Sequence, residues 1–238
     1  MFSSINVLIS LLNETQSLFP VIAIFYNFES ATNNLLTNLV SGLADATCLS
    51  SSLSTTKKLL GSSSFHPVSQ TTNIIINTIP TFPPAVAGNG VSISYWIASE
   101  FTTNNGLQSH LGWSVTSGTT SAFHVQYTST NTIQVFAGSY FSHTLPSGSF
   151  YSQSFYHIVV TFTYLSSVQT TCRLYINGAL ATSSTLSFSF IQPANFFIGH
   201  RTDNADNYFP AFIDQFRFYT GILSSNDVAK LYNNGVGI

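Results

Sequence analysis

The sequence predicts an all-β protein: an antiparallel two-sheet jelly-roll sandwich with one short C-terminal helix. Three observations carry this. Apolar residues alternate with period two through much of the chain, turn-forming dipeptides interrupt the alternation at short intervals, and only one segment has helical spacing. Alternation marks half-buried strands, because the pleat sends successive side chains to opposite faces. Many short strands divided by tight turns indicate a sandwich rather than an α/β fold.

Residues 1–20 carry the apolar patch Val7-Leu8-Ile9 with Leu11-Leu12 but lack the positive residues that open a secretory signal. They read as an arm or strand ahead of one domain over residues 21–238. That length suits a single large sandwich. Ala23 to Glu29 is an opening strand, and Ser30 to Gly61, rich in Asn, Ser and Thr, reads as long loops with at most one short strand or helix. Alternation resumes at Val91 to Ile97 and recurs at Ala122 to Tyr127, Thr132 to Phe136, His157 to Tyr164, Thr171 to Ile176, Asn195 to Ile198 and Phe212 to Tyr219. Asn104-Asn105-Gly106, Ser117-Gly118, Pro146-Ser147-Gly148 and Asn177-Gly178 supply the turn chemistry between them. In the C-terminal segment Ser224 fits an N-cap, Asp227 its capping-box partner, and Leu223 with Val228 a hydrophobic staple. Gly235 is the expected stop.

Composition narrows the function. Charged residues make up 6% of the chain and aromatic residues 14%, against roughly 25% charged in an ordinary domain. Ser and Thr together number 63 and Asn 19, so hydroxyls and amides must solvate the surface. Copies of such a surface repel one another only weakly. The six Lys and Arg are scattered apart from Lys57-Lys58, leaving no basic stripe for nucleic acid. No apolar run approaches the ~20 residues of a membrane span. Cys48 and Cys172 are either two free thiols or one bridge, and make no zinc knuckle. A single N-x-S/T sequon, Asn13-Glu14-Thr15, argues against a eukaryotic secretory route.

The order of segments resembles the laminin-G-like, concanavalin A-like family, related to pentraxins. The motifs that carry the likeness are the opening strand, Val91 to Ile97 with its Trp96, Phe155-Tyr156-His157-Ile158, the hairpin Leu174-Tyr175-Ile176-Asn177-Gly178, Phe197-Ile198-Gly199, Ala211 to Tyr219, and the capped helix. Ala211 stands where the family usually has Gly, and Phe155 or Tyr156 where it has Trp. The resemblance implies a jelly roll that binds or packs and seldom catalyses, and it admits a structural Ca²⁺.

Chemistry on such a sheet takes few forms. A glycoside hydrolase needs two carboxylates flanking the scissile bond; no such pair is spaced along a strand here, and Glu100 stands alone. No nucleophile elbow or phosphate loop occurs. Scattered His among abundant Ser makes some chance Ser/His contact inevitable. His157 reads as a packing or hydrogen-bonding residue.

Asp214 is the most informative acid, because alternation puts it on the face of Phe212, Phe216 and Phe218, where a carboxylate must be paired, hydrogen-bonded or metal-bound. Backbone or Arg partners are the first reading, and a structural Ca²⁺ joining Asp214 to Glu29 is the alternative. Asp203, Asn204, Asp206 and Asn207 form an oxygen-rich loop explained by turn formation or by ligand binding. Aromatics with access to solvent would stack on sugars; Trp113, Tyr127, Tyr140, Tyr151 and Tyr208 are the candidates. The sequence thus points to a non-enzymatic binding or adhesion module for glycan or a surface protein. Its alternatives are a self-associating structural subunit of a larger assembly, such as a virion, fibre or extracellular layer, and then a glycoside hydrolase. An extracellular, cell-surface or virion-surface setting is favoured.

Overall fold

The structure is a computed structural model that describes residues 20–29, 31–32, 35–40, 45–49, 52–67, 73–77, 79–100, 113–117, 120–128, 131–146, 154–188, 192, 195–199 and 211–233. The expected N-terminal arm therefore lies outside the described residues. The strands are β1 (Ile22–Tyr26), β2 (Ala31–Thr32), β3 (Leu35–Leu36), β4 (Ala46–Leu49), β5 (Ser52–Ser54), β6 (Ser64–His66), β7 (Asn73–Ile76), β8 (Gly90–Ser99) and β9 (Trp113–Ser117). They continue as β10 (Thr120–Thr128), β11 (Thr132–Ala137), β12 (Ser139–Thr144), β13 (Tyr156–Ser166), β14 (Gln169–Ile176), β15 (Ala179–Ser187), β16 (Asn195–Ile198) and β17 (Ala211–Tyr219), followed by helix α1 (Ser225–Tyr232).

Two antiparallel sheets enclose the core. One runs β15-β14-β13-β8-β17-β6-β5 with β1 also on β17, and the other β12-β11-β10-β9-β16-β7-β4-β3-β2. Val91, Ile93, Tyr95 and Ile97 of β8 all point into the core, as their alternation predicts, and meet Phe123, Val125, Ile133 and Val135 from the opposite sheet. The region read as long loops, Ser30 to Gly61, instead holds β2 to β5. Each has only two to four residues, too few for a hydrophobic period; they form by adding to the edge of a sheet already there, which propensity does not register.

The hairpin at Asn177-Gly178 has both residues at positive φ (51° and 81°), as a two-residue turn of that hand requires. Asn177 also accepts a 2.9 Å bond from the His157 amide through Oδ1, tying the turn to β13. The capping box forms as expected: the Ser224 hydroxyl accepts from the Asp227 amide at 3.2 Å, and Asp227 Oδ2 accepts from the Ser224 amide at 2.8 Å. Asn233, not Gly235, occupies the left-handed position that ends the helix, since the short polar side chain of Asn tolerates that conformation. Val228 and Leu231 bury against Val159, Tyr175 and Tyr219, so α1 covers the outer face of the first sheet. Cys172 is a buried free thiol, which rules out a Cys48–Cys172 bridge.

Removing the cap isolates its contribution. Ser224→Ala should cost about 1 kcal/mol, read as a lower urea midpoint with unchanged slope; an unchanged midpoint would show that α1 is held by packing alone.

Candidate functional site

The register of β10, β11 and β12 arranges their outward side chains in rows. His124 lies opposite Phe136 and Phe136 opposite Tyr140; two residues along, Gln126 lies opposite Gln134 and Gln134 opposite Ser142; two further, Thr132 lies opposite Thr144. The intervening residues Phe123, Val125, Tyr127, Ile133, Val135 and Phe141 fill the core. One face of this sheet therefore carries an aromatic row, an amide row and a hydroxyl row, in which His124, Gln126 and Thr132 are buried while Phe136 and Gln134 are partly exposed and Tyr140, Ser142 and Thr144 are exposed.

In the first row the His124 and Phe136 rings stack at 5.0 Å, and Phe136 meets Tyr140 at 4.9 Å. The Tyr140 hydroxyl lies 3.4 Å from His124 Nε2, so the ring is steadied while remaining 50% exposed. In the second row Gln126 Nε2 donates to Gln134 Oε1, which fixes which amide atoms face outward. In the third the Thr132 and Thr144 hydroxyls are 3.0 Å apart. An exposed ring beside oriented amides and hydroxyls can stack on the apolar face of a sugar while pairing with its OH groups.

Of the aromatics singled out from sequence, Tyr140 is thus on the surface. Tyr127 is not: it is buried, its hydroxyl 2.6 Å from that of Tyr95 across the core. Trp113 opens β9, but its side chain lies outside the described residues, as do Tyr151, Asp203, Asn204, Asp206, Asn207 and Tyr208. Sequence reasoning missed Phe136, His124 and the two Gln. The alternation of β10 and β11 held the signal, but nothing in it said which of the outward residues reach solvent.

Asp214 is fully buried. Its face differs from the one alternation assigned: β17 bulges between Asp214 and Arg217, with Gln215 at φ 51°. Asp214 therefore stays on the outer side while Phe216 and Phe218 turn into the core. Its Oδ2 accepts from the Leu59 and Leu60 amides at 2.9 and 3.2 Å, and Oδ1 from the Gln215 amide at 2.8 Å. Glu29 reaches the same loop, its Oε2 accepting from the Ser62 amide and hydroxyl, both at 2.5 Å. Gly61, at φ +70°, lies so close that a Cβ would fall 1.7 Å from Glu29 Oε1. The loop thus offers both carboxylates N–H donors, whereas Ca²⁺ requires six to eight oxygens. This donor set fits a pair of anions better than a cation.

The chance Ser/His contact also occurs. Ser94 Oγ is 2.9 Å from His157 Nε2, both fully buried. Burial, with Arg217 nearby, lowers the His157 pKa to about 3. A base so weak and closed to solvent cannot activate a nucleophile at neutral pH. Trp96 lies tilted against its ring at 4.8 Å and Tyr232 stacks on it at 6.1 Å, a packing role.

A profile of the concanavalin A-like lectin/glucanases superfamily matches residues 71–229. No curated protein matches the chain by sequence. Similar solved structures include the receptor-binding domain of botulinum neurotoxin type G, at 14% identity and TM-score 0.64, covering 89% of this chain and 51% of that one. The botulinum neurotoxin serotype D ligand-binding domain in complex with N-acetylneuraminic acid is 16% identical at TM-score 0.63, covering 90% and 51%. A Trypanosoma rangeli sialidase in complex with 2,3-difluorosialic acid is 14% identical at TM-score 0.62, covering 91% of this chain and 34% of that one. The chain spans about half the length of the toxin domains it matches. At these identities the likeness is one of fold.

Asp214 and His157, both buried, make opposite pH predictions. Burial first, and then Glu29, push the Asp214 pKa up to about 6 against the amide bonds that lower it. Its contribution is complete below its ordinary value of 3.8 and is lost as pH rises through about 6. That of His157 is complete above 6.5 and is lost as pH falls towards 3. Between pH 6 and 4 Asp214 therefore offsets part of the loss from His157. Asp214→Asn should steepen acid destabilisation over that window by on the order of 2–3 kcal/mol in urea titrations. Parallel pH curves for the two proteins would contradict this.

Proposed function

The chain belongs to the concanavalin A-like lectin/glucanases superfamily, and on that premise we propose that it is a non-catalytic carbohydrate-binding module that uses the outer face of β10, β11 and β12. The observation that carries the reading is Tyr140, a large aromatic left half in solvent and flanked by oriented amides. Burying such a ring at a partner gains apolar contact at little rotamer cost. Two of the fold neighbours are named as receptor-binding or ligand-binding domains and a third is a sialidase, so the fold accommodates binding as well as catalysis.

The chemistry of the described residues agrees with a non-enzyme. Glu29 and Asp214, the carboxylates that meet at one loop, are engaged by its donors. Glu100, the lone acid considered for hydrolysis, sits 3.0 Å from His66 Nε2. The same uncharged face also suits the second reading, a self-associating structural subunit.

Tyr140→Ala should weaken binding to the best ligand from a glycan array at least tenfold, about 1.4 kcal/mol, with little change in folding stability because the ring is half exposed. Unchanged sugar binding would move the site elsewhere; loss of self-association instead of sugar binding, seen by light scattering, would favour the structural subunit.

Calcium bridging Asp214 and Glu29 remains a separate proposal with its own test. The N–H-lined geometry predicts the same thermal midpoint in EDTA and in millimolar Ca²⁺. A rise of several degrees with Ca²⁺, abolished by Glu29→Gln, would establish the metal.

A further inference from the structure

We infer that the glycan read by this face is neutral, at least two sugar rings long, and laid along the strands from the aromatic row to the hydroxyl row. This rests on the carbohydrate-binding reading and narrows its ligand.

Charge is divided unevenly between the two sheets. The nine strands β2, β3, β4, β7, β9, β10, β11, β12 and β16 contain no Asp, Glu, Lys or Arg. The other sheet carries Arg173, Asp214 and Arg217 in its strands. Arg217 is buried against the Phe25 ring at 4.4 Å, and Arg173 lies 3.4 Å from Thr163 Oγ1. Neither belongs to the sheet that bears Tyr140. A sialic or uronic acid laid on the Tyr140 face would lose water from its carboxylate with no guanidinium or ammonium in those strands to replace it. Such a carboxylate calls for an Arg fork or a Lys, and an unpaired one costs several kcal/mol.

The rows are also spaced for more than one sugar ring. Rows two residues apart along a strand are separated by about 6.7 Å, so the three rows extend over about 13 Å. That distance exceeds one sugar ring, and each row suits a different part of a neutral chain. Phe136 and Tyr140 offer ring faces for stacking. Gln134, held by the buried Gln126, and Ser142 offer donors and acceptors together, and the Thr144 hydroxyl, paired with the buried Thr132, does so at the far end. Groups that both donate and accept match sugar hydroxyls, which do the same.

The test titrates the full chain with neutral oligosaccharides and their acidic counterparts: lactose with sialyllactose, and cellotriose with trigalacturonate, preceded by an array holding both classes. The array should rank neutral glycans first. Acidic counterparts should bind no better than the neutral forms, and raising NaCl from 50 to 500 mM should change the neutral affinity by less than about twofold. Longer neutral chains should bind more tightly than their monosaccharides. An acidic glycan that binds at least tenfold better, weakens with salt and is lost in Tyr140→Ala would overturn neutrality and leave the binding face intact. Binding to neither class, or binding indifferent to Tyr140→Ala, would overturn both.

Discussion

A one-residue bulge in β17 lets a single strand serve two different environments. Ahead of it, Ala211 and Ile213 fill the core while Asp214 turns outward. Beyond it, Phe216 and Phe218 fill the core while Arg217 and Tyr219 turn outward, beside β1 and beneath α1. The bulge is held by Asp214 itself, whose carboxylate accepts from the bulged residue and from the loop of Leu59 and Leu60. That hydrogen-bonded carboxylate joins β17, the β5–β6 hairpin and, through Glu29, the end of the opening strand. Without three amide donors a buried carboxylate would cost several kcal/mol.

Where charge lies then sets what each sheet can do. The first sheet carries its charged residues, a buried imidazole and the covering helix on its outer face, where Asp214, Arg217 and His157 are buried and Arg173 is partly exposed. The second has no Asp, Glu, Lys or Arg in β10 to β12, and there the described aromatic with half its surface in water is Tyr140. In a chain with so few charges, hydroxyls and amides must solvate the surface, and groups that both donate and accept are also those that pair with sugar hydroxyls. The proposed carbohydrate site thus draws on the same chemistry that solvates the rest of the protein.

Much of the architecture was legible in the sequence because period-two alternation reports burial directly. The Val91 strand, the Asn177-Gly178 hairpin and the Ser224 capping box could all be read from local chemistry. The β17 bulge could not: Asp214-Gln215-Phe216 looks like continued alternation, and only a left-handed Gln215 shifts the faces. The strands β2 to β5 are too short to show a period. The aromatic row depends on register between strands, since His124, Phe136 and Tyr140 are far apart in the chain and become neighbours only when β10, β11 and β12 pair.

A proposed site on one sheet face is tested most directly by mapping the residues that a ligand perturbs. Backbone amide chemical shifts followed by NMR during titration with the preferred neutral glycan should change most at His124, Gln126, Gln134, Phe136, Tyr140 and Ser142, with the β17 bulge and α1 unmoved. Shifts confined to loops at the end of the sandwich, with those six residues unperturbed, would contradict the account.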